Sequence, residues 1–153
     1  MILPPLQLEQ YFFDKIQLES RRDHQPGTHV GLQINSTLEI AQTQSGPWLI
    51  TLTLKTQVDQ STPPPPYEFE LRTVGFFRLI QPQPTAQETA RLMGITGASI
   101  LYSAARELLL ILTGRGPWGQ LTIPLVSFMD LQVEINEPTA SRPPTDGSQA
   151  VTP

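Results

Sequence analysis

The stretch ITGASILYSAARELLLILTGRG, which runs from Ile95 to Gly116, decides the fold. Apolar side chains recur at helical spacing over residues 98–113, which predicts one helix there. They form a stripe of Leu101, Ala104, Ala105, Leu108 and Leu112, and further apolar side chains (Tyr102, Leu109, Leu110 and Ile111) cover the remaining surface. Because a helix that is apolar all round is buried all round, we expect the rest of the chain to cover one side and a second copy to cover the other.

The composition is that of one small soluble domain with its own core. The chain has 153 residues, of which 39% are hydrophobic, and this length is typical of a single domain. A net charge of -4 with 10 basic residues argues against nucleic acid, which binds clustered Lys and Arg. The absence of cysteine excludes disulfides, thiolate metal sites and cysteine nucleophiles.

The N-terminal sequence and the apolar helix both predict a cytoplasmic protein. The first ten residues, MILPPLQLEQ, lack the basic segment and apolar run of a secretory signal. The predicted helix is shorter and more interrupted than the roughly 20 apolar residues that cross a bilayer, so we expect no membrane insertion.

Four segments alternate between apolar and polar residues as strands do. They span Leu6–Glu19, His29–Gln42, Trp48–Val58 and Tyr67–Leu79. The short turn at residues 44–47 predicts an antiparallel hairpin between the second and third strands. In the first strand one face carries Leu6, Leu8, Phe12, Ile16 and Leu18, while Tyr11 and Phe13 point the other way. Either both faces are apolar there, or a bulge lies near Asp14. Gly75 inside the fourth strand indicates a bulge or a close approach of another segment.

The remaining segments predict connections, helices and a tail. Prolines 63–66 are either a stiff spacer or a ligand for a proline-binding domain. A capping box at residues 85–88 predicts a short helix that Gly94 closes. Residues 126–135 fit a strand by alternation or a short helix capped by Ser127. Residues 137–153 have little to bury and predict a disordered tail, which leaves 1–136 as the domain. The fold class is α+β, with the helices on one side of an antiparallel sheet.

The sequence offers little catalytic chemistry. Glu68 and Glu70 share a strand face about 7 Å apart, as they would on any solvated sheet. The neighbouring Arg106 and Glu107 fit a structural ion pair better than an active site. A metal site would use His24, His29 and Asp23, but their spacing matches no common metal motif and favours solvated loop histidines. With no nucleophile beside a base, we expect neither an enzyme nor a cofactor. A polar pocket around Arg106 and Glu107 would instead favour an enzyme or a small-molecule-binding domain.

Several motifs in and around the long helix resemble the export chaperone SecB. Residues 100–107, ILYSAARE, resemble its I-L-F-P-Y-A-R-E segment, and residues 115–121, RGPWGQL, resemble its R-G-T-F-P-Q-L. Residues 124–128, PLVSF, look like its P-V-N-F with one extra residue, and residues 74–77, VGFF, are similar to its A-G-I-F.

The resemblance implies the SecB architecture and activity. It implies a four-stranded antiparallel sheet, two main helices, and a homotetramer built as a dimer of dimers with helices between sheets. It also implies an ATP-independent holdase that binds unfolded or precursor polypeptides in apolar grooves for protein export. Burial of apolar surface, at about 25 cal/mol per Å², is non-directional and suits many clients. The alternatives are a SecB-like chaperone dedicated to one partner, such as an antitoxin, and a structural adaptor.

The resemblance also assigns residues to three surfaces. The client groove would comprise Tyr67, Phe69, Leu71 and Thr73 on the fourth strand, with Trp118, Leu121 and Ile123 in the bordering loop. As an alternative, the four strand residues are plain core. Glu19 and Glu70 match acidic positions that meet the SecA motor, although Lys15 replaces an expected acid and Glu68 an expected apolar residue. The tail lacks the Cys and His of the family's zinc-binding tail. The oligomer interface would comprise Leu101, Tyr102, Ala105, Leu108, Leu109 and Leu112.

Overall fold

Four strands form one antiparallel sheet in the computed structural model, which describes residues 4–28, 31–60 and 62–129. They are β1 (Leu6–Ser20), β2 (Gln33–Gln42), β3 (Trp48–Gln57) and β4 (Tyr67–Leu79). The strand order is β1-β4-β3-β2, and every neighbouring pair is antiparallel. The predicted β2–β3 hairpin and the predicted four-stranded antiparallel sheet are therefore confirmed.

One continuous helix of 28 residues, Ala86–Thr113, packs on one side of this sheet. It consists of α1 (Ala86–Leu92), a π-helical turn (Met93–Gly97) and α2 (Ala98–Thr113). The Thr85 hydroxyl accepts a hydrogen bond from the Glu88 amide at 3.1 Å, so the predicted cap is confirmed. The prediction that Gly94 closes the first helix is wrong, because this residue lies inside the π-helical turn and the chain stays helical through it.

The continuity of the helix also overturns the argument from length. With 28 residues and a mean hydropathy of 1.4 in its most apolar window, the helix is long and apolar enough to cross a membrane. The core helix of a soluble domain passes the same test. About a third of that window, 33%, is buried inside the protein, and the helix contributes Met93, Leu101 and Leu109 to the core. A single helix of this kind is weak evidence for a membrane segment.

Two bulges interrupt the pairing of β1 with β4. The register shifts between Phe13 and Lys15, so the alternative with a bulge near Asp14 is the one observed. A second shift lies between Leu8 and Gln10. A shift of one residue turns the following side chains to the opposite face. Phe12 therefore lies on the outer face, the side of the sheet away from the helix, and not with Leu6 as predicted. Its ring pairs with that of Phe76 at 6.3 Å.

The core lies between the sheet and the helix, on what we call the helix side. Its fully buried side chains include Ile50, Leu52, Leu54, Leu71, Phe77, Met93, Leu101 and Leu109. The close approach predicted at Gly75 is confirmed, since a Cβ atom there would lie 2.9 Å from Cδ2 of Leu101. The missing side chain thus lets α2 settle onto β4.

Beyond α2 the chain turns at residues 114–118 and then runs on without helix or strand as far as residue 128. Residues 126–129, where a strand or a short helix was predicted, form neither element. Residues 130–135 and the predicted tail at 137–153 lie outside the described residues.

Candidate functional site

The four predicted groove residues of β4 form one row on the helix side. All of them, Tyr67, Phe69, Leu71 and Thr73, are buried. Phe69 and Leu71 belong to the same packed cluster as Leu101 and Ile123. In the single chain this row is therefore part of the core.

Tyr67 connects this row to the loop after α2. Its hydroxyl accepts a hydrogen bond from the Trp118 amide at 3.1 Å and donates one to the Gly119 carbonyl at 2.8 Å. A Cβ atom on Gly116 would collide with that hydroxyl. Gly116 of the RGPWGQL motif thus makes room for the Tyr67 hydroxyl, whose hydrogen bonds hold the loop in place.

Trp118 lies where the loop meets the connection after β1. Its indole N–H donates to the Arg21 carbonyl at 2.9 Å, and its ring packs edge-on against His24 at 5.0 Å between centroids. The structure therefore brings this predicted loop residue close to Tyr67, the first residue of the predicted groove strand.

The other two predicted loop residues lie along α2. The Leu121 amide donates to the Thr113 hydroxyl at 2.8 Å, and the Leu121 side chain packs half-buried against the core. Ile123 is fully buried. All three loop residues therefore contact the body of the fold.

The Thr73 hydroxyl is an exception in this well-bonded region. It is fully buried, and it has no hydrogen-bond partner among the described residues. A buried hydroxyl without a partner costs roughly 1–3 kcal/mol.

The predicted oligomer interface is only partly accessible. Four of its residues, Leu101, Tyr102, Ala105 and Leu109, are buried in the chain's own core. The surface that α2 leaves uncovered has Leu108, which is half-buried, Leu112, and the more exposed Ile111, at 62%. Periodicity missed Ile111 because both sides of this helix are apolar in sequence.

An exposed apolar surface follows on the same side of the sheet. Tyr11 and Ile16 of β1 are exposed, Ile16 at 54%. They pair with Gly75 and Leu71 of β4, which are buried on the helix side, so Tyr11 and Ile16 lie on that side too. We call Tyr11, Ile16, Ile111 and Leu112 the bare surface. The sequence did not reveal the place of Tyr11 because the bulge between Leu8 and Gln10 sets it.

The proline connector is built into the fold. Pro65 is buried, the Pro64 carbonyl lies 2.9 Å from Nδ1 of His24, and the Pro66 carbonyl accepts from the Arg21 amide at 2.9 Å. These contacts favour the spacer over the proline-binding ligand.

Ion pairs cover much of the outer face. Arg72 contacts Asp14 at 2.7 Å and Lys15 contacts Glu70 at 2.9 Å. Hydrogen bonding from Lys15, with the positive charges of Lys15 and Lys55, lowers the pKa of the Glu70 carboxyl below its usual value. Pairs this exposed contribute little to stability, because solvent screens the two charges.

Glu19 and Glu70, the predicted motor-docking acids, line one shallow hollow of about 330 Å³ on this face. Glu70 is already paired with two lysines, at 2.9 Å and 3.5 Å. Glu19 has no ion pair in the part of the chain that the structure describes. The predicted site therefore offers one paired and one unpaired carboxylate.

Arg106 and Glu107 do not face each other in a pocket. The Arg106 Nε donates to the Ile123 carbonyl at 3.1 Å, whereas Glu107 is exposed on α2. Among the described residues, no group of three or more His, Asp or Glu side chains could hold a metal ion.

The arrangement of sheet and helix matches a chaperone of known structure. A SecB-like chaperone of Mycobacterium tuberculosis, solved in complex with a ChAD peptide from the HigA1 antitoxin, has a TM-score of 0.65 to this chain. This chain has a SecB-like fold. The match covers 80% of this chain and 91% of the mycobacterial one, at 17% sequence identity. The SecB resemblance carried by the helix motifs is thus confirmed at the level of the fold.

The other comparisons add no function. A protein of unknown function from Streptococcus agalactiae has a TM-score of 0.42 and 16% identity, with 78% of this chain and 97% of that chain covered. No family model and no curated protein sequence matches the chain. Any activity on this SecB-like fold must therefore be argued from the chain's own surfaces.

Proposed function

We propose that this chain is an ATP-independent cytoplasmic chaperone that shields apolar segments of polypeptide clients. The observation that carries the proposal is the bare surface on a SecB-like fold. A soluble chain that leaves Ile16 and Ile111 more than half exposed has apolar side chains available to another polypeptide, as exposed apolar patches commonly do. The antitoxin peptide bound to the mycobacterial neighbour supports a polypeptide as the ligand.

The proposal includes assembly into a dimer of dimers. The helical half of the bare surface, Ile111 and Leu112 with the adjoining Leu108, would pair copies of the chain. The β1 half, Tyr11 and Ile16, would remain for clients. Each half gains about 25 cal/mol for every Å² of apolar surface removed from water, without demanding a particular client sequence.

Aggregation of luciferase diluted from denaturant, measured by turbidity without ATP, tests the holdase activity. We expect the wild-type chain to suppress the turbidity and the double variant Tyr11→Ser, Ile16→Ser to lose most of that effect. Val58→Ser, which changes an exposed apolar residue outside the bare surface, is the matched control. Failure of a folded wild-type sample to suppress aggregation would refute the proposal.

Light scattering tests the assembly separately. We expect a mass near four times the 17.0 kDa chain, and a lower mass for Ile111→Ser, Leu112→Ser. A wild-type mass of one chain would remove the tetramer from the proposal while leaving the holdase assay to decide the activity.

A second candidate is service to one dedicated partner, such as an antitoxin, rather than general export through SecA. The pairing of Glu70 with Lys15 and Lys55 favours this candidate, because it weakens the acidic field that a motor would meet on the outer face. A single stoichiometric protein co-purifying with the chain would support the dedicated role. A spread of precursors, together with SecA binding that Glu19→Ala weakens, would support export.

A further inference from the structure

Residues 119–128, which we call the strap, are held to the fold in the way that a bound peptide is held. Their sequence, GQLTIPLVSF, has no charged residue and forms no helix or strand. In the described chain, no backbone-to-backbone hydrogen bond involves residues 120–129. The strap is therefore fixed by side chains, as an extended ligand would be.

Side chains of α2 bind two consecutive carbonyls of the strap. The Arg106 Nε donates to the Ile123 carbonyl at 3.1 Å, and the Tyr102 hydroxyl donates to the Pro124 carbonyl at 2.6 Å. Arg106 and Tyr102 are four residues apart and hence neighbours on one face of the helix. These contacts recognise main chain, so they place no demand on the sequence that occupies the site.

Two buried side chains anchor the strap on either side of these carbonyls. Ile123 is fully buried, and Phe128 is buried with its ring edge-on to that of Tyr102 at 5.8 Å. Between them Leu125 is 79% exposed and Val126 is also exposed. Main-chain hydrogen bonds combined with pockets for a few side chains are a common mode of extended-peptide recognition.

We infer that the strap is a built-in occupant of a client site, and that an extended, uncharged segment of an unfolded polypeptide replaces it there. An aliphatic side chain would take the place of Ile123 and an aromatic one that of Phe128, while Tyr102 and Arg106 bind the incoming carbonyls. This inference rests on the proposed chaperone function and adds that clients compete with part of the protein itself. Opening the strap exposes Ile123 and Phe128, which are buried in the closed state, so the open fraction is small. Apparent client affinity scales with that fraction.

Amide exchange in the wild-type chain tests the inference directly. The probe is an unlabelled synthetic peptide with the sequence of residues 119–129, added in excess to 15N-labelled protein. We expect hydrogen exchange at the Leu121 amide to accelerate, because displacement of the strap breaks its bond to the Thr113 hydroxyl. Exchange that is unchanged or slower in the peptide-saturated protein would overturn the inference.

Loosened anchors provide a second test with a fluorescein-labelled form of the same peptide. We expect Ile123→Ala, Phe128→Ala to bind the probe at least about five-fold more tightly, because the open fraction rises. Leu125→Ala, on the exposed part of the strap, should match wild type within about two-fold. Equal affinities for all three folded proteins would overturn the inference. Suppression of luciferase aggregation by wild type in the same preparation would then show that only the strap inference has failed.

Discussion

The two flanks of α2 solve the same burial problem in different ways. On the strap flank, Tyr102, Arg106 and Thr113 contact residues 119–128, and Tyr102 and Thr113 are buried. On the opposite, bare flank, Leu108 is half-buried and Ile111 is 62% exposed. Only the strap flank is covered by the chain itself.

The difference lies in what each flank contacts. An irregular backbone segment brings amides and carbonyls that need partners, and the strap flank supplies hydroxyl and guanidinium groups for them. The bare flank has the aliphatic side chains of Leu108, Ile111 and Leu112 instead, which offer no partner to a backbone amide or carbonyl. On this helix the polar groups thus coincide with the backbone of the strap. The bare flank has only apolar side chains, which in the proposed assembly would meet side chains of a second copy.

The largest difference in unfolding free energy should appear between a truncation on the covered side of α2 and one on the bare flank. Leu109→Ala removes a fully buried side chain and should lower the free energy of unfolding by about 2–5 kcal/mol. Ile111→Ala, at low protein concentration, should change it by less than about 0.5 kcal/mol. Urea denaturation measures both values, and equal losses would contradict the contrast between the flanks.

Removal of one hydroxyl should loosen the covered flank at its start. Tyr67→Phe leaves the partly buried Trp118 amide without its partner and should cost about 1–3 kcal/mol of unfolding free energy. Tyr11→Phe is the control, because Tyr11 is exposed and its hydroxyl has no hydrogen bond among the described residues. A loss of similar size in both variants, measured by urea denaturation, would show that the loop does not depend on Tyr67.

Thr73 differs from Tyr67 and Thr113, because its buried hydroxyl has no hydrogen-bond partner among the described residues. Thr73→Val keeps the shape and removes the unsatisfied oxygen, so we expect a gain of about 1 kcal/mol in unfolding free energy. Thr53→Val on the outer face should stay within about 0.5 kcal/mol of wild type. A loss of stability in Thr73→Val would mean that the hydroxyl has a partner, such as a bound water.

The smallest expected effect is the response of the strap flank to alkali. Burial raises the pKa of the Tyr102 phenol above its usual value. A group whose pKa is higher in the folded state contributes stability below its unfolded pKa and loses it as pH rises through the folded value. The urea midpoint should therefore fall above about pH 10, and it should fall less in Tyr102→Phe. An identical alkaline loss in both proteins would assign the effect to other groups.

Local patterns predicted most of the elements. Alternation gave β4 its observed bounds, and the glycines after Thr113 marked the end of α2, since both signals act over a few residues. The face of Phe12 and the continuity past Gly94 were missed, because a bulge and a π-helical turn depend on pairing and packing across the sheet. The same limit applies to the site. The row from Tyr67 to Thr73 was predicted, but only the assembled fold shows that it is covered.

The π-helical turn helps to keep one row of side chains buried along the whole of the long helix. Every fourth residue along it is buried, in one row of Thr89, Met93, Gly97, Leu101, Ala105, Leu109 and Thr113. In a regular α-helix such a row would drift around the axis by about 40° at each step. The wider turn at Met93–Gly97, with its i→i+5 bonding, takes back part of that drift. Deleting one residue there would rotate α1 by about 100° relative to α2 and turn Thr89 out of its buried position. The number of residues in this turn is therefore part of what the core requires.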